Sequence, residues 1–252
     1  MLGFFRALFR AVLLAGLFVG AAVELVVKRP ATRRERAEWL HRFCARSLRV
    51  MRFSFVVRGE FPESGTVISN HLSYVDIILF AGIRPCVFAA KADIAKWPVL
   101  GWMTTMAGAV YVERGRGRSA VDAAEGMREA YDAGLPVMFF PEGATNNSDV
   151  LLPFQSGLLA MALASGRPVT AAHLRYVMPE KLNAGRTVRE NVCWGEVPLV
   201  GHLWGLLSLR GVSAEVQFAA RPIEFVRMEH AGMERKRAAV DARVAVMELG
   251  AS

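Results

Sequence analysis

The 252 residues suffice for one substantial domain, or one domain with an appendage. Hydrophobic residues make up 53% and mean hydropathy is +0.28, high for a soluble domain and low for a polytopic membrane protein. The net charge of +8 is confined to one end: residues 1–60 hold twelve Lys/Arg against four Asp/Glu, and residues 61–252 hold nineteen of each. A basic excess beside the most apolar segment suits anionic lipid headgroups. It speaks against nucleic acid, which is usually met by a folded basic face with aromatics between. Cys44, Cys86 and Cys193 are odd in number, widely spaced and without a C-x-x-C pair. That argues against a zinc site or a disulfide framework and fits a reducing compartment.

The first element in chain order runs from Ala11 to Val27, seventeen residues with one charge, Glu24. As a helix it reaches about 25 Å, short of the ~30 Å hydrocarbon core. Two readings stand: a monotopic helix dipping into one leaflet, or a single span that draws in Phe4, Phe5 and Phe9 while Arg6 and Arg10 snorkel. A cleaved signal peptide fits less well, since the apolar run continues past Ala21-Ala22. From Ala31 to about Arg52, Trp39, Leu40, Phe43, Cys44, Leu48 and Met51 recur at helical spacing with arginines between. This predicts an amphipathic helix on the bilayer surface or on the domain. The division expected is an anchor over residues 1–55 and a catalytic domain over residues 56–252.

After Pro62 short β-branched runs alternate with helical patterns, the order of an α/β domain with a largely parallel sheet flanked by helices. Strands are expected at Val67–Ser69, Val87–Ala90, Ala109–Val112, Val137–Phe140, Val169–Leu174 and Val216–Ala219. Helices are expected at 76–81, at 119–133 (ended by Gly134 and Pro136) and at 229–249, with Met and Leu between 157 and 163 forming a further helix face.

The chemistry concentrates where strands end. Asn70-His71-Leu72-Ser73-Tyr74-Val75-Asp76 follows the first of these strands. A carboxylate five residues after a histidine, beyond a helix start, can turn back to the imidazole, fix its tautomer and favour the imidazolium. Gly108 to Arg114 carries an arginine at a strand end, and Phe139-Phe140-Pro141-Glu142-Gly143 breaks a buried strand into a turn. Parallel strands align their C-terminal ends, so His71, Arg114 and Glu142 are expected on one rim. Gly115 to Ala120 also matches G-x-G-x-x-A, but it follows the third strand and arginines fill its variable positions, so dinucleotide binding is not favoured. Ser73 lacks a G-x-S-x-G elbow, which removes a serine hydrolase.

N-H-x4-D, G-x-x-[FY]-[IV]-x-R, F-P-E-G and a Pro-containing strand occur here in order at Asn70–Asp76, Gly108–Arg114, Phe140–Gly143 and Pro168–Leu174. In these the chain resembles the PlsC-type glycerolipid acyltransferases over roughly residues 50–222, with Lys91 and Trp97–Trp102 similar to bacterial members. The resemblance implies His71 as general base, Asp76 as its orienting partner, and Asn70, Lys91, Gly108, Arg114, Glu142, Gly143 and Thr145 on the substrate side. Arg114 would pair with an acceptor phosphate, and Glu142 with Gly143 would shape the acceptor site, the carboxylate bonding a hydroxyl. It further implies a thioester donor, acyl carrier protein or coenzyme A, a lysolipid acceptor, no bound cofactor or metal, and a place at the cytoplasmic face of the bacterial inner membrane. Many members carry an arginine after F-P-E-G-T, whereas here Ala144-Thr145-Asn146-Asn147 follows. That departure is similar to relatives that acylate lyso-ornithine lipids or lysophospholipids, and Trp194-Gly195-Glu196 and His202-Leu203-Trp204 resemble the lyso-ornithine branch. A membrane lipid-binding protein that keeps the fold without catalysis is the alternative of a different class.

Overall fold

The computed structural model describes residues 1–97, 100–112, 117–145, 150–195, 197–226 and 231–251. Helices α1 (Leu2–Lys28) and α2 (Arg33–Met51) lead into strand β1 (Ser54–Arg58). There follow β2 (Thr66–Ser69), α3 (Val75–Ile83), β3 (Val87–Lys91), α4 (Leu100–Met106), β4 (Val110–Val112), α5 (Gly117–Asp132) and β5 (Val137–Phe139). The chain closes with α6 (Ser156–Ala164), β6 (Val169–Val177), α7 (Val188–Asn191), α8 (Leu199–Leu207), β7 (Ser213–Phe218) and α9 (Ala231–Ala251).

The seven strands form one sheet in the order β1-β7-β6-β2-β5-β3-β4. Neighbours from β6 to β4 run parallel; β7 is antiparallel to β6, and β1 is parallel to β7. All four residues of β2 and all three of β5 are buried, because helices cover both faces. Val67, Met138, Ala172 and Leu174 join a core with Trp39, Leu48, Leu79, Phe80 and Leu206 on one side of the sheet. Ile68, Val137, Phe139 and Ala171 join another with Met127, Leu159, Ala242 and Val246 on the opposite side. The period-two alternation along each strand thus divides the core in two.

The expected strands after Pro62 and the helices at 75–83, 117–132 and 231–251 all form. Three things differ. Strand β1 gives no period-two signal in the sequence, because four of its five residues are exposed at the sheet edge. The reversal of β7 and β1 depends on long connections that local pattern does not encode. Helices α4, α7 and α8 are also additions to the sequence-based list.

The N-terminal helices pack on the domain. Thr32 and Glu35 form a reciprocal capping box at the start of α2, which turns the chain sharply after α1. Of the apolar residues expected to line one face of α2, Trp39, Leu40, Cys44, Leu48 and Met51 are buried and Phe43 is half-buried. Its basic side serves other helices: Arg34 donates to the Ala133 and Gly134 carbonyls at the end of α5, and Arg33 to Gly108 O. Arg6 and Arg10 turn to the domain. Arg6 donates to Ser208 O, and Arg10, itself buried, to Leu207 O (2.9 Å) and Leu209 O (2.8 Å), satisfying carbonyls at the C-terminus of α8. Glu24 pairs with Lys28 (2.9 Å) and with Arg42 of α2 (2.7 Å). Helix α1 is long and apolar enough to cross a membrane by length and composition.

Candidate active site

The site grows from the C-terminal end of β2. Asn70 extends the ladder with its side chain, accepting from Leu174 N (2.8 Å) and donating to Leu174 O (2.9 Å), like one more peptide unit of a parallel pair. This fixes where the strand stops and the turn begins. The His71 backbone N–H then donates to Glu142 Oε1 (2.7 Å), and its ring stacks on Phe140 with centroids 4.0 Å apart and planes 6° apart. Asp76, in the first turn of α3, reaches back so that Oδ2 meets His71 Nδ1 at 2.8 Å. A carboxylate only accepts, so Nδ1 carries the hydrogen and the Nε2 lone pair is left free to take a proton. The His71 side chain is 15% exposed and that of Asp76 is 0%.

A carboxylate buried to that degree needs donors on both oxygens. Asp76 Oδ2 also accepts from Leu72 N (2.6 Å) and Ser73 N (2.9 Å), at the N-terminus of α3 where an anion is favoured. Oδ1 accepts from the Tyr176 hydroxyl (2.7 Å). Glu142 is clamped too, with Oε1 on His71 N and Oε2 on Leu152 N (2.9 Å). Burial raises the Glu142 carboxyl above the ordinary glutamate range, and the two backbone donors partly offset this. Arg243 of α9 donates to the Leu151 and Leu152 carbonyls, holding the same loop from behind.

One wall of the site is aromatic. Trp194 N donates to Leu72 O (2.7 Å), and the Trp194 ring lies edge-on to Tyr74 (5.6 Å) and Trp97 (6.0 Å). The Tyr74 hydroxyl meets His202 Nδ1 (3.1 Å), while His202 Nε2 donates to Cys193 O (3.0 Å). Burial lowers His202 below its ordinary value and so keeps it neutral, which fits an acceptor Nδ1 facing the phenol.

His71, Asp76, Asn70 and Glu142 therefore meet at one turn. Glu142 meets backbone N–H groups with both oxygens, and Asn70 meets the Leu174 backbone with both amide atoms and accepts from Ser69 Oγ, so each holds the turn. Gly143 has φ +69° and its N–H returns to Phe140 O (3.0 Å), closing a turn that favours glycine. Gly108 has φ +75° and ends α4, its N–H on Thr105 O. Lys91 is exposed at the end of β3, in register with Val112 of β4. Thr145 is part-exposed after the Glu142 turn. Arg114, the Gly115–Arg116 part of the glycine-rich run, Asn146-Asn147 and Glu196 lie outside the described residues. Sequence reasoning missed Tyr176 and Leu152, which no local motif marks, and the Phe140 stack, whose ring reads as ordinary core.

A family model named Acyltransferase covers residues 36–175, more than half of the sequence. The chain belongs to this acyltransferase family. Within the family it is similar to the lyso-ornithine lipid O-acyltransferase of Pseudomonas aeruginosa, 30% identical over 202 residues, 79% of this chain and 73% of that protein. It is 34% identical over 159 residues to the 1-acyl-sn-glycerol-3-phosphate acyltransferase of Neisseria gonorrhoeae, covering 63% of this chain and 60% of that one. The crystal structure of the 1-acyl-sn-glycerophosphate (LPA) acyltransferase, PlsC, from Thermotoga maritima superposes with a TM-score of 0.61 at 20% identity, over 98% of both chains. That likeness establishes a shared fold across the acyltransferase core and the N-terminal helices.

Proposed function

We propose that this acyltransferase moves a fatty acyl chain from a thioester, on acyl carrier protein or coenzyme A, to the free hydroxyl of a lysolipid. The observation that carries the reading is the 2.8 Å contact between His71 Nδ1 and a fully buried Asp76, which leaves Nε2 as a base at the strand-end rim. Nε2 takes the hydroxyl proton as the oxygen attacks the thioester carbonyl. The C–S bond then breaks, and the sulfur departs as thiolate. A thiol's ordinary pKa near ~8.5 makes that departure easy, and the imidazolium returns its proton to sulfur. The Asp76 charge favours the imidazolium in between. A covalent cysteine route finds no support: Cys44, Cys86 and Cys193 are buried, and burial pushes the Cys44 and Cys86 thiols up.

The acceptor of first choice is 1-acyl-sn-glycerol-3-phosphate, and we assign its phosphate to Arg114 and the substrate side of the rim to Lys91 and Thr145. A lyso-ornithine acceptor is the second reading, favoured by the absence of an arginine after Gly143-Ala144-Thr145. For attachment we assign residues 1–55 to the membrane and residues 56–252 to the chemistry, at the cytoplasmic face of the bacterial inner membrane. A monotopic α1 is supported by its two tethers. Arg6 and Arg10 hold its start to α8, and near its end Trp39 Nε1 donates to Ala21 O (3.1 Å) while Arg42 holds Glu24. A helix bound to the same domain at both ends lies along it, with Phe5 (62% exposed) and Phe9 (65%) turned outward.

The test is transfer of labelled acyl groups from both thioesters to lysophosphatidic acid, lyso-ornithine lipid and lysophosphatidylcholine, with reconstituted full-length protein. Transfer is expected from at least one donor, and the best acceptor decides between the two readings. A folded, membrane-bound protein that binds these lipids and transfers to none of them would replace the enzyme by a lipid-binding protein.

A further inference from the structure

Strand β6 reaches the catalytic turn at two points. One is the backbone of Leu174, gripped by Asn70. The other, two residues on along the same side of the strand, is the hydroxyl of Tyr176, 2.7 Å from Asp76 Oδ1. The donors to Asp76 are divided unevenly. Oδ2 takes two backbone N–H groups and the imidazole, while Oδ1 has Tyr176 as its donor among the described residues. The ring of Tyr176 is buried edge-on against Phe53 (6.2 Å, 88°), so the phenol is held by packing on a strand rather than by a loop.

We infer that Tyr176 is a positioning residue for acyl transfer: its hydroxyl satisfies Asp76 Oδ1 and thereby sets how strongly Asp76 holds the proton of His71. The inference rests on the reading of His71 as the base. The physical reason is the cost of a buried anionic oxygen without a donor. If the phenol is removed, the charge on Asp76 is less delocalised and less solvated by the protein. It then binds a proton more tightly, either on itself or on the imidazole it faces. Both routes keep the proton on the pair to a higher pH, so the direction of the effect does not depend on which one operates. The phenol stays protonated throughout, since burial and the neighbouring Asp76 charge raise it well above its ordinary range.

The other titratable groups around the pair come from four elements. Glu142 lies after β5 and accepts from His71 N, Tyr74 belongs to the turn, Cys193 follows α7, and His202 of α8 reaches the pair through Tyr74. Burial raises Tyr74 and lowers His202, so both are neutral near pH 7 and add no competing charge there. Among the described residues Glu142 is the other carboxyl that faces the pair, and Tyr176→Phe leaves its donors in place.

The experiment follows acyl transfer against pH, with the full chain in lipid, for wild type, Tyr176→Phe, Phe53→Leu and His71→Ala. Tyr176→Phe keeps the ring, so kcat at neutral pH is expected to fall by about 3- to 10-fold with acceptor KM changed less than about threefold. The acid limb of the profile should move up by about one pH unit. Phe53→Leu should lower Tm and leave the acid limb at its wild-type position, separating packing from the hydrogen bond. Incorporation of 3-fluorotyrosine at position 176, a stronger donor of the same shape, should move the limb the other way, and it serves if Tyr176→Phe fails to fold. An acid limb that stays fixed in both Tyr176 variants, with His71→Ala inactive, would overturn the role of Tyr176 alone. A His71→Ala protein with the wild-type rate would overturn the reading of the base, and the role of Tyr176 with it.

Discussion

The turn from Asn70 to Asp76 and the helix α1 are built on opposite terms. In the turn almost every polar atom has a named partner: Asp76 accepts four hydrogen bonds, Glu142 two and Asn70 two, counting only contacts with described residues. In α1 the polar anchors are few and sit at its two tethers, and most of its large apolar side chains face outward. The first arrangement fixes a proton acceptor within tenths of an ångström, where single hydrogen bonds matter. The second offers apolar area, which adds up residue by residue and tolerates single changes. Chemistry and attachment should therefore respond to mutation in different ways.

Asp76→Asn strikes the first arrangement hardest. With its amide oxygen on Leu72 N, Ser73 N and His71 Nδ1, an asparagine turns an N–H₂ donor toward the Tyr176 hydroxyl in place of the acceptor there now, and it removes the charge that favours the imidazolium. Acyl transfer is expected to fall about 10²- to 10⁴-fold, with membrane binding unchanged in a vesicle flotation assay. The double change Phe5→Ser/Phe9→Ser probes the second arrangement. Two exposed phenylalanines that enter lipid contribute about 2–4 kcal/mol together, so vesicle partitioning should weaken by roughly 30- to 1000-fold. Transfer to a short-chain acceptor in solution should fall far less than that.

Glu142→Gln sharpens the contrast within the site. Its amide N–H₂ would face one of the two backbone donors now met by Oε1 and Oε2, loosening the His71 turn from the Leu152 loop. A loss of about 10- to 100-fold in kcat is expected, with flotation unchanged. The smallest effect is on stability against pH. Burial lowers both His173 and His202 from the ordinary value of 6.5. The unfolded chain then binds more protons than the native one below that value, so stability is full above about pH 6.5 and falls as the pH drops through the lowered values. Tm measured from pH 7.5 to 5 should decline, and His173→Gln/His202→Gln should flatten the decline. Glu142 acts with the opposite sign, since its raised carboxyl stabilises the native state at acid pH and loses that contribution as the pH rises through its native value.

What the sequence made legible follows from the range of the interaction. His71 and Asp76 lie five residues apart around one turn, so their contact could be read from spacing alone. The buried strands β2 and β5 could be read because both faces are covered and their residues are uniformly apolar. Tyr176 lies one hundred residues from Asp76, and its partnership depends on β6 pairing with β2, which no local pattern encodes. Strand β1 escaped because an edge strand with one paired side carries no hydrophobic alternation. Glu142 is marked by its motif, but the meeting of its two oxygens with backbone N–H groups of two neighbouring segments depends on how those segments pack after β5.

The most direct test of the central claim is the initial rate of acyl transfer by His71→Ala beside wild type, in the same vesicles, with Tm and flotation measured on both. A base on a part-exposed ring predicts a Tm within a few degrees, equal membrane binding and a rate lower by about 10²–10⁴-fold. A His71→Ala protein that folds, binds and transfers at the wild-type rate would contradict the account, since no second group at the rim holds the same geometry among the described residues.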